Sequence, residues 1–352
     1  GGGGEDAGRR VLAHHRDAAG RPALLNLALV LAVPDGPAVA ACGVYRRVSL
    51  DDERFAEVLG ALRDGARQGV FALQLHGLEH YWPATLMASG DAVVQRWLRQ
   101  PVPAVTEELP SPLQSRWVDA GRLPSSPHAP AAIDAAVADE VEAFERVVGA
   151  PPKVVVPPTF VWMLDVERAG AARGVECIVT PGRRSTCRDA AGRPGCDEGP
   201  IASGDRAAGL TYVVRNDYFE PVRGRDAAHA LRALERCVRE GRPCVLENHR
   251  DNFIGDARAC EASLIELDAL CRDALRRHRD LRFLATHELC RILRDRDPRW
   301  ITASLVDRLP AWRARLEATG RPWTLLRLSG AAALLGIAVA LLGRRAASAP
   351  SA

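Results

Sequence analysis

The stretch Phe71-Ala72-Leu73-Gln74-Leu75-His76-Gly77-Leu78-Glu79-His80 decides how the rest of the chain is read. An apolar run of strand length stops at two histidines four positions apart, with a carboxylate between them. The run predicts a β-strand, and the glycine straight after it predicts a strand-to-loop exit. Paired imidazoles at short, fixed spacing are what a divalent metal needs, so His76 and His80 are candidate metal ligands. The combination points to hydrolytic chemistry at the carboxyl end of a strand. The spacing also allows a plainer arrangement, one histidine capping the strand and the other on the surface, so the surroundings decide.

Working outward, short apolar strands alternate with amphipathic helices. Leu24 to Val33 reads as a strand and 51–68 as a helix before Val70 to Leu75. After a Pro-rich crossing at 101–130, a helix is expected over 131–148. Strand–helix pairs follow at 154–156, 177–179, 210–214, 244–246 and 281–284. This alternation implies a parallel sheet with helices outside it, and the number of units suggests a closed or nearly closed (β/α) barrel of about seven strands. No phosphate-binding glycine pattern follows any strand, which removes the main support for nucleotide folds. In such a barrel chemistry sits where strands end. Three clusters do so: His76 to His80, Pro157-Pro158-Thr159-Phe160-Val161-Trp162, and Glu247-Asn248-His249-Arg250-Asp251-Asn252-Phe253.

The composition fits a folded enzyme rather than a disordered or nucleic-acid-binding chain. With 352 residues and 47% hydrophobic content there is enough apolar mass for a large core. The net charge is only +3, Lys153 is the sole lysine, and no basic stripe interleaved with aromatics appears, so nucleic acid is not an expected partner. Nine cysteines without a C-x-x-C pair fit a reducing compartment; Cys187 and Cys196 flank a polar loop and are expected as free thiols, with pairing or a shared metal as the alternative.

Both ends carry expectations of their own. The chain opens Gly1 to Gly4 directly into a helical pattern at 5–16, with no initiator Met, so a first strand is expected to be missing. Near the other end, 323–343 is apolar apart from Thr324, Arg327 and Ser329 and is closed by Arg344-Arg345. That is long enough for a transmembrane or membrane-associating helix, with a core-docking helix as the alternative. More arginines precede it than follow it, which favours the main domain on the cytoplasmic face of the membrane, or in the cytoplasm. The expected organisation is therefore a catalytic barrel over 1–300, a basic linker over 301–322, the apolar helix over 323–343 and a tail over 344–352.

The order of these clusters, His76-Gly77-Leu78-Glu79-His80, then Pro157 to Trp162, Thr180-Pro181-Gly182-Arg183, and His249-Arg250-Asp251-Asn252-Phe253, resembles the polysaccharide deacetylase (carbohydrate esterase) superfamily. The likeness lies nearest a bacterial branch with H-G-x-E-H and H-R-x-N-F/Y, and it extends from Glu5 to about Trp300. It implies a deformed (β/α) barrel that removes N- or O-acetyl groups from a glycan with a divalent metal, zinc foremost, held by one Asp and two His. His76 and His80 match the two metal histidines, and His249 matches the late histidine that protonates the leaving group. The family's acid pair belongs to a first strand that this chain does not show. Asp251 stands where an apolar residue is expected and is a candidate to replace part of the lost acid.

Several neighbours acquire candidate roles from their chemistry. Glu79 would orient a metal-bound imidazole, or lie exposed in a loop. Arg250, with Asn252 beside it, would bind substrate, or Arg250 would form an internal salt bridge. Trp162 and Tyr81-Trp82 would stack on sugar rings, or pack at the barrel rim. Two rival functions remain: a degenerate barrel that binds glycan without a metal carboxylate, and a zinc peptidase of the H-x-x-E-H type, which requires His76 and His80 on one helical face.

Overall fold

The structure, a computed structural model, describes residues 2–103, 105–318 and 321–347. It divides into two compact units, 1–215 with 278–294, and 216–277 with 295–352. In the first, the apolar runs become β1 (Leu25–Leu29), β4 (Phe71–Leu75), β7 (Val154–Val155), β8 (Cys177–Thr180) and β12 (Leu210–Val214), all parallel in that order. The short β11 (Arg206–Ala207) closes the series antiparallel to β12. Three antiparallel pairs accompany the sheet: β2 (Ala32–Pro34) with β3 (Arg47–Ser49), β5 (Val118–Asp119) with β6 (Ser126–Pro127), and β9 (Cys187–Arg188) with β10 (Pro194–Gly195). The second unit holds one parallel pair, β13 (Asp217–Tyr218) and β14 (Leu246–Glu247).

The expected ring of about seven strands is thus an open ladder, with β1 and β11 as its edges. Two strand expectations change for identifiable reasons. The run 24–33 breaks into β1 and β2, because Leu31 N turns to the Gly77 and Leu78 carbonyls instead of continuing along β4. Residues 281–284 form no strand: Phe283 N is taken by Asp17 Oδ2 at 3.0 Å and Leu281 O by Ala18 N at 3.3 Å.

The helix Pro130–Val148 shows why the sheet is buried on one side. Ile133, Val137, Val141, Phe144 and Val147 recur at helical spacing and pack with Leu75, Val155, Ile178, Val166 and Leu210. Each such side chain contributes about 1.5–3 kcal/mol when fully buried. Glu140 lies on the same buried stripe, the one ionisable residue there, and it leads directly to the site.

Two expectations outside the core are corrected. The apolar segment at 323–343 is not one helix: Arg321–Leu328 and Ala331–Ala347 are separated at Gly330, whose φ of +73° breaks the helical path. Among the described residues no helix is long and apolar enough to cross a membrane. Residues 319–320 of the expected linker and 348–352 of the expected tail lie outside the described residues. Cys187 and Cys196 are not free thiols but form a disulfide across the β9–β10 hairpin, with Cα atoms 5.8 Å apart.

Candidate functional site

Because β1, β4, β7, β8 and β12 run parallel, the segments that follow them emerge along one edge of the sheet. His76 leaves β4 there, its backbone N–H on Leu29 O at 2.8 Å. Val156 leaves β7 beside it, with N–H on Leu75 O at 2.8 Å. The His76 ring turns back so that Nδ1 sits 2.6 Å from the Val156 carbonyl. A carbonyl only accepts, so the proton of neutral His76 is on Nδ1 and its lone pair on Nε2. That is the tautomer a backbone carbonyl imposes on a metal-ligating histidine.

The His80 ring meets His76 edge to face, with centroids 4.8 Å apart. Burial, followed by the charge of His76, pulls the His80 imidazole down to about 3, so it is neutral at physiological pH. Its Nδ1 is buried with no hydrogen-bond partner. Residues 76–80 are not helical, so the shared helical face that the peptidase pattern requires is not formed. Gly77 makes the turn between the histidines possible: its φ is +112°, and an added Cβ would lie 2.9 Å from Glu79 O.

Glu79 points into a buried ionic cluster. Its Oε2 accepts from Arg116 Nη1 at 2.7 Å, and its Oε1 from Arg47 Nε at 2.9 Å and the Tyr45 hydroxyl at 3.2 Å. Arg116 Nε in turn donates to Glu140 Oε2 at 3.0 Å, and Leu78 N donates to the same oxygen at 3.3 Å. Glu79, Arg116 and Glu140 are all almost fully buried. Burial outweighs the Arg116 charge at Glu140 and pushes its carboxyl up to about 7. Glu79 therefore holds the loop through Arg116 and Arg47 rather than lying exposed.

On the other face, Ser115 Oγ lies 3.3 Å from Thr159 Oγ1 and accepts from Arg188 Nε at 2.8 Å. Thr159 and Phe160 have positive φ, 51° and 56°, an uncommon conformation for a β-branched or aromatic residue. The Gln114 backbone faces the His80 ring, and the Arg188 charge is felt there. Trp82 stacks on His128 with centroids 3.9 Å apart, whereas Trp162 is fully buried and donates Nε1–H to Glu167 at 2.8 Å, leaving no ring face for a sugar.

The third cluster belongs to the second unit. His249 presents Nδ1 to Glu220 and has Nε2 3.3 Å from Glu247 Oε1. Asp251 Oδ2 accepts from Arg223 at 2.6 Å. Buried Asn252 donates to His249 O at 2.9 Å and accepts from Val222 N at 3.2 Å, while Arg250 is exposed at the start of the same turn. At Glu220 burial acts upward, but the hydrogen bond from His249 and the charges of His249 and Arg223 bring its carboxyl below the ordinary value.

A divalent metal would take His76 and His80 as two ligands, and one neutral ring with an unpartnered nitrogen beside one of fixed tautomer suits that role. Among the described residues no group of three or more His, Cys, Asp or Glu gathers to complete a protein-only ligand set. Sequence reading missed Arg116, Glu140, Ser115 and Arg188. Glu140 had a signal, a carboxylate on an apolar helical stripe. The arginines had none, in a chain whose cations are almost all arginine.

No family model matches the chain, and no curated protein matches it in sequence. Among solved structures it is similar to a 4-alpha-glucanotransferase from Thermococcus litoralis, with TM-score 0.41 and 11% identity over 80% of this chain and 35% of that one. It is also similar to a GH57-type branching enzyme from Pyrococcus horikoshii, with TM-score 0.32 and 12% identity over 80% of this chain and 64% of that one. The chain thus spans less than two thirds of either protein.

Proposed function

We propose that the protein is a hydrolase of the polysaccharide-deacetylase type, removing acetyl groups from a glycan at the edge where β4 and β7 end. The observation that carries the reading is the His76–His80 pair in edge-to-face contact directly after a central strand, with His80 held neutral by burial. A divalent ion such as zinc held by His76 and His80 would supply Lewis acidity, polarising an acetyl carbonyl and easing loss of the proton from the attacking water. The chain's own residues would prepare that chemistry. Val156 O keeps the His76 proton on Nδ1, burial keeps His80 unprotonated, and the Glu79–Arg116–Glu140 cluster fixes the loop that carries both. The turn at Pro158–Phe160 flanks the pair as one wall for substrate.

The test is acetate release from acetylated oligosaccharides by zinc-supplemented protein, together with metal analysis. Roughly one divalent ion per chain is expected, with activity falling at least about a hundredfold in His76→Ala and His80→Ala. Equal activity in those variants would remove the histidine pair from the site. The second reading, a glycan-binding fold without hydrolysis, is favoured by the two-histidine donor set. It predicts oligosaccharide binding with no acetate released.

A further inference from the structure

Arg188 is 2% exposed, yet its guanidinium has no carboxylate partner. Nε donates to Ser115 Oγ at 2.8 Å and Nη1 to Gly192 O at 3.1 Å, while Nη2 is buried with no partner at all. Two other arginines of this unit are treated differently: buried Arg116 is shared by Glu79 and Glu140, and half-buried Arg184 by Glu167 and Glu198. Leaving a buried cation uncompensated costs several kcal/mol, and a folded chain carries such a cost where a ligand removes it. Desolvation alone acts on Arg188 and lowers its pKa, as expected for a charge that the chain itself does not answer.

The surroundings define what would answer it. The Ser115 hydroxyl accepts from the guanidinium, and the Thr159 hydroxyl lies 3.3 Å from Ser115 Oγ, on a residue held in a left-handed backbone conformation. His80, with its own orphaned Nδ1, lies within reach of the Arg188 charge. The disulfide Cys187–Cys196 staples the hairpin that carries Arg188. The site offers one positive charge, the two open N–H groups of Arg188 Nη2 and two hydroxyls. That is the complement of a compact monoanion, and phosphate, with more charge and more oxygens, would leave acceptors unmet.

We propose that Arg188, Ser115 and Thr159 form a carboxylate-binding subsite next to the His76–His80 pair. The carboxylate comes either from an acidic sugar of the glycan or from a free carboxylate such as released acetate. The subsite rests on the deacetylase reading only for where its carboxylate originates.

The experiment is thermal unfolding of the full chain in sodium acetate, sodium glucuronate or sodium phosphate at matched ionic strength, with wild type and Arg188→Met compared. A ligand bound only by the folded state raises the midpoint with the logarithm of its concentration, here by about 2–4 °C well above its dissociation constant. Acetate, glucuronate or both should do this for wild type and neither for Arg188→Met, whose midpoint without carboxylate should be no lower than wild type. A response to acetate alone assigns the free carboxylate, and one to glucuronate alone assigns the acidic sugar. Should Arg188→Met fail to fold, Ser115→Ala should instead raise the carboxylate concentration for half the shift about five- to tenfold. An equal shift in wild type and variant, an equal shift with phosphate, or no carboxylate shift overturns the subsite. His76→Ala should keep the carboxylate shift while losing acetate release, so the two readings fail separately.

Discussion

The loop from His76 to His80 has two faces that differ in how their charges are answered. Glu79 reaches into a cluster where Arg116 sits between two carboxylates and Arg47 adds a further cation, every partner within 3.0 Å. On the other face, the two imidazoles meet each other, His76 meets the Val156 carbonyl, and Arg188 meets the Ser115 hydroxyl and the Gly192 carbonyl; His80 Nδ1 and Arg188 Nη2 have no hydrogen-bond partner. The difference teaches where to look for chemistry. Matched buried charges fix a backbone, whereas buried donors and acceptors left unmatched are held ready for something the chain does not supply.

The largest effect should come from breaking the matched face. Arg116→Met leaves buried Glu140 without a cation and Glu79 with Arg47 alone, and should cost about 3–5 kcal/mol in denaturant unfolding at pH 8. Because the Glu140 carboxyl already sits up at about 7, the loss should shrink near pH 5, where Glu140 takes a proton. A loss that does not depend on pH would mean that the cluster is not the clamp.

The two faces should also answer pH in opposite directions. In chelator-treated protein His80 sits at about 3 against an ordinary 6.5, so the unfolded chain binds its proton first. Stability should then fall as pH drops from about 6.5 to 3, by up to about 4 kcal/mol, and His80→Gln should remove that slope. Glu140 is raised from 4.5 to about 7, so the folded chain holds its proton longer. Its contribution is present at low pH and is lost as pH rises through that window, up to about 3 kcal/mol, and Glu140→Gln should flatten it. Wild-type minus variant stability, read across pH, isolates each group; slopes of the same sign would break the contrast.

The same contrast explains how far the sequence could be read. The parallel strands, the strand-end position of His76 and the helix Pro130–Val148 follow from apolar periodicity, which local chain chemistry sets. Which charges pair does not. Arg116 meets Glu79 and Glu140 over separations of 37 and 24 residues, and nothing in the spacing of an arginine-rich chain marks the partner. Arg188 was hidden because its neighbours, Ser115 and Thr159, arrive from the Pro-rich crossing and the loop after β7, 73 and 29 residues away, respectively. The C-terminal helix was misjudged for a local reason: composition favoured a continuous span, and a single glycine at positive φ interrupts it.

Gly77 joins the two faces and gives the smallest, sharpest test. Its φ of +112° is open to glycine and strained for other residues, and an added Cβ would lie 2.9 Å from Glu79 O and 3.3 Å from Arg116 Cδ. Gly77→Ala should therefore cost about 1–3 kcal/mol in stability, measured by denaturant unfolding. The added methyl presses on the clamp, so its effect should be less than additive with Arg116→Ala, which removes the Cδ atom it crowds. It should also lower metal affinity and acetate release about tenfold, because the turn at Gly77 sets the separation of the two imidazoles. A variant that loses stability yet keeps full affinity would show that the histidine face is positioned independently of the ionic one.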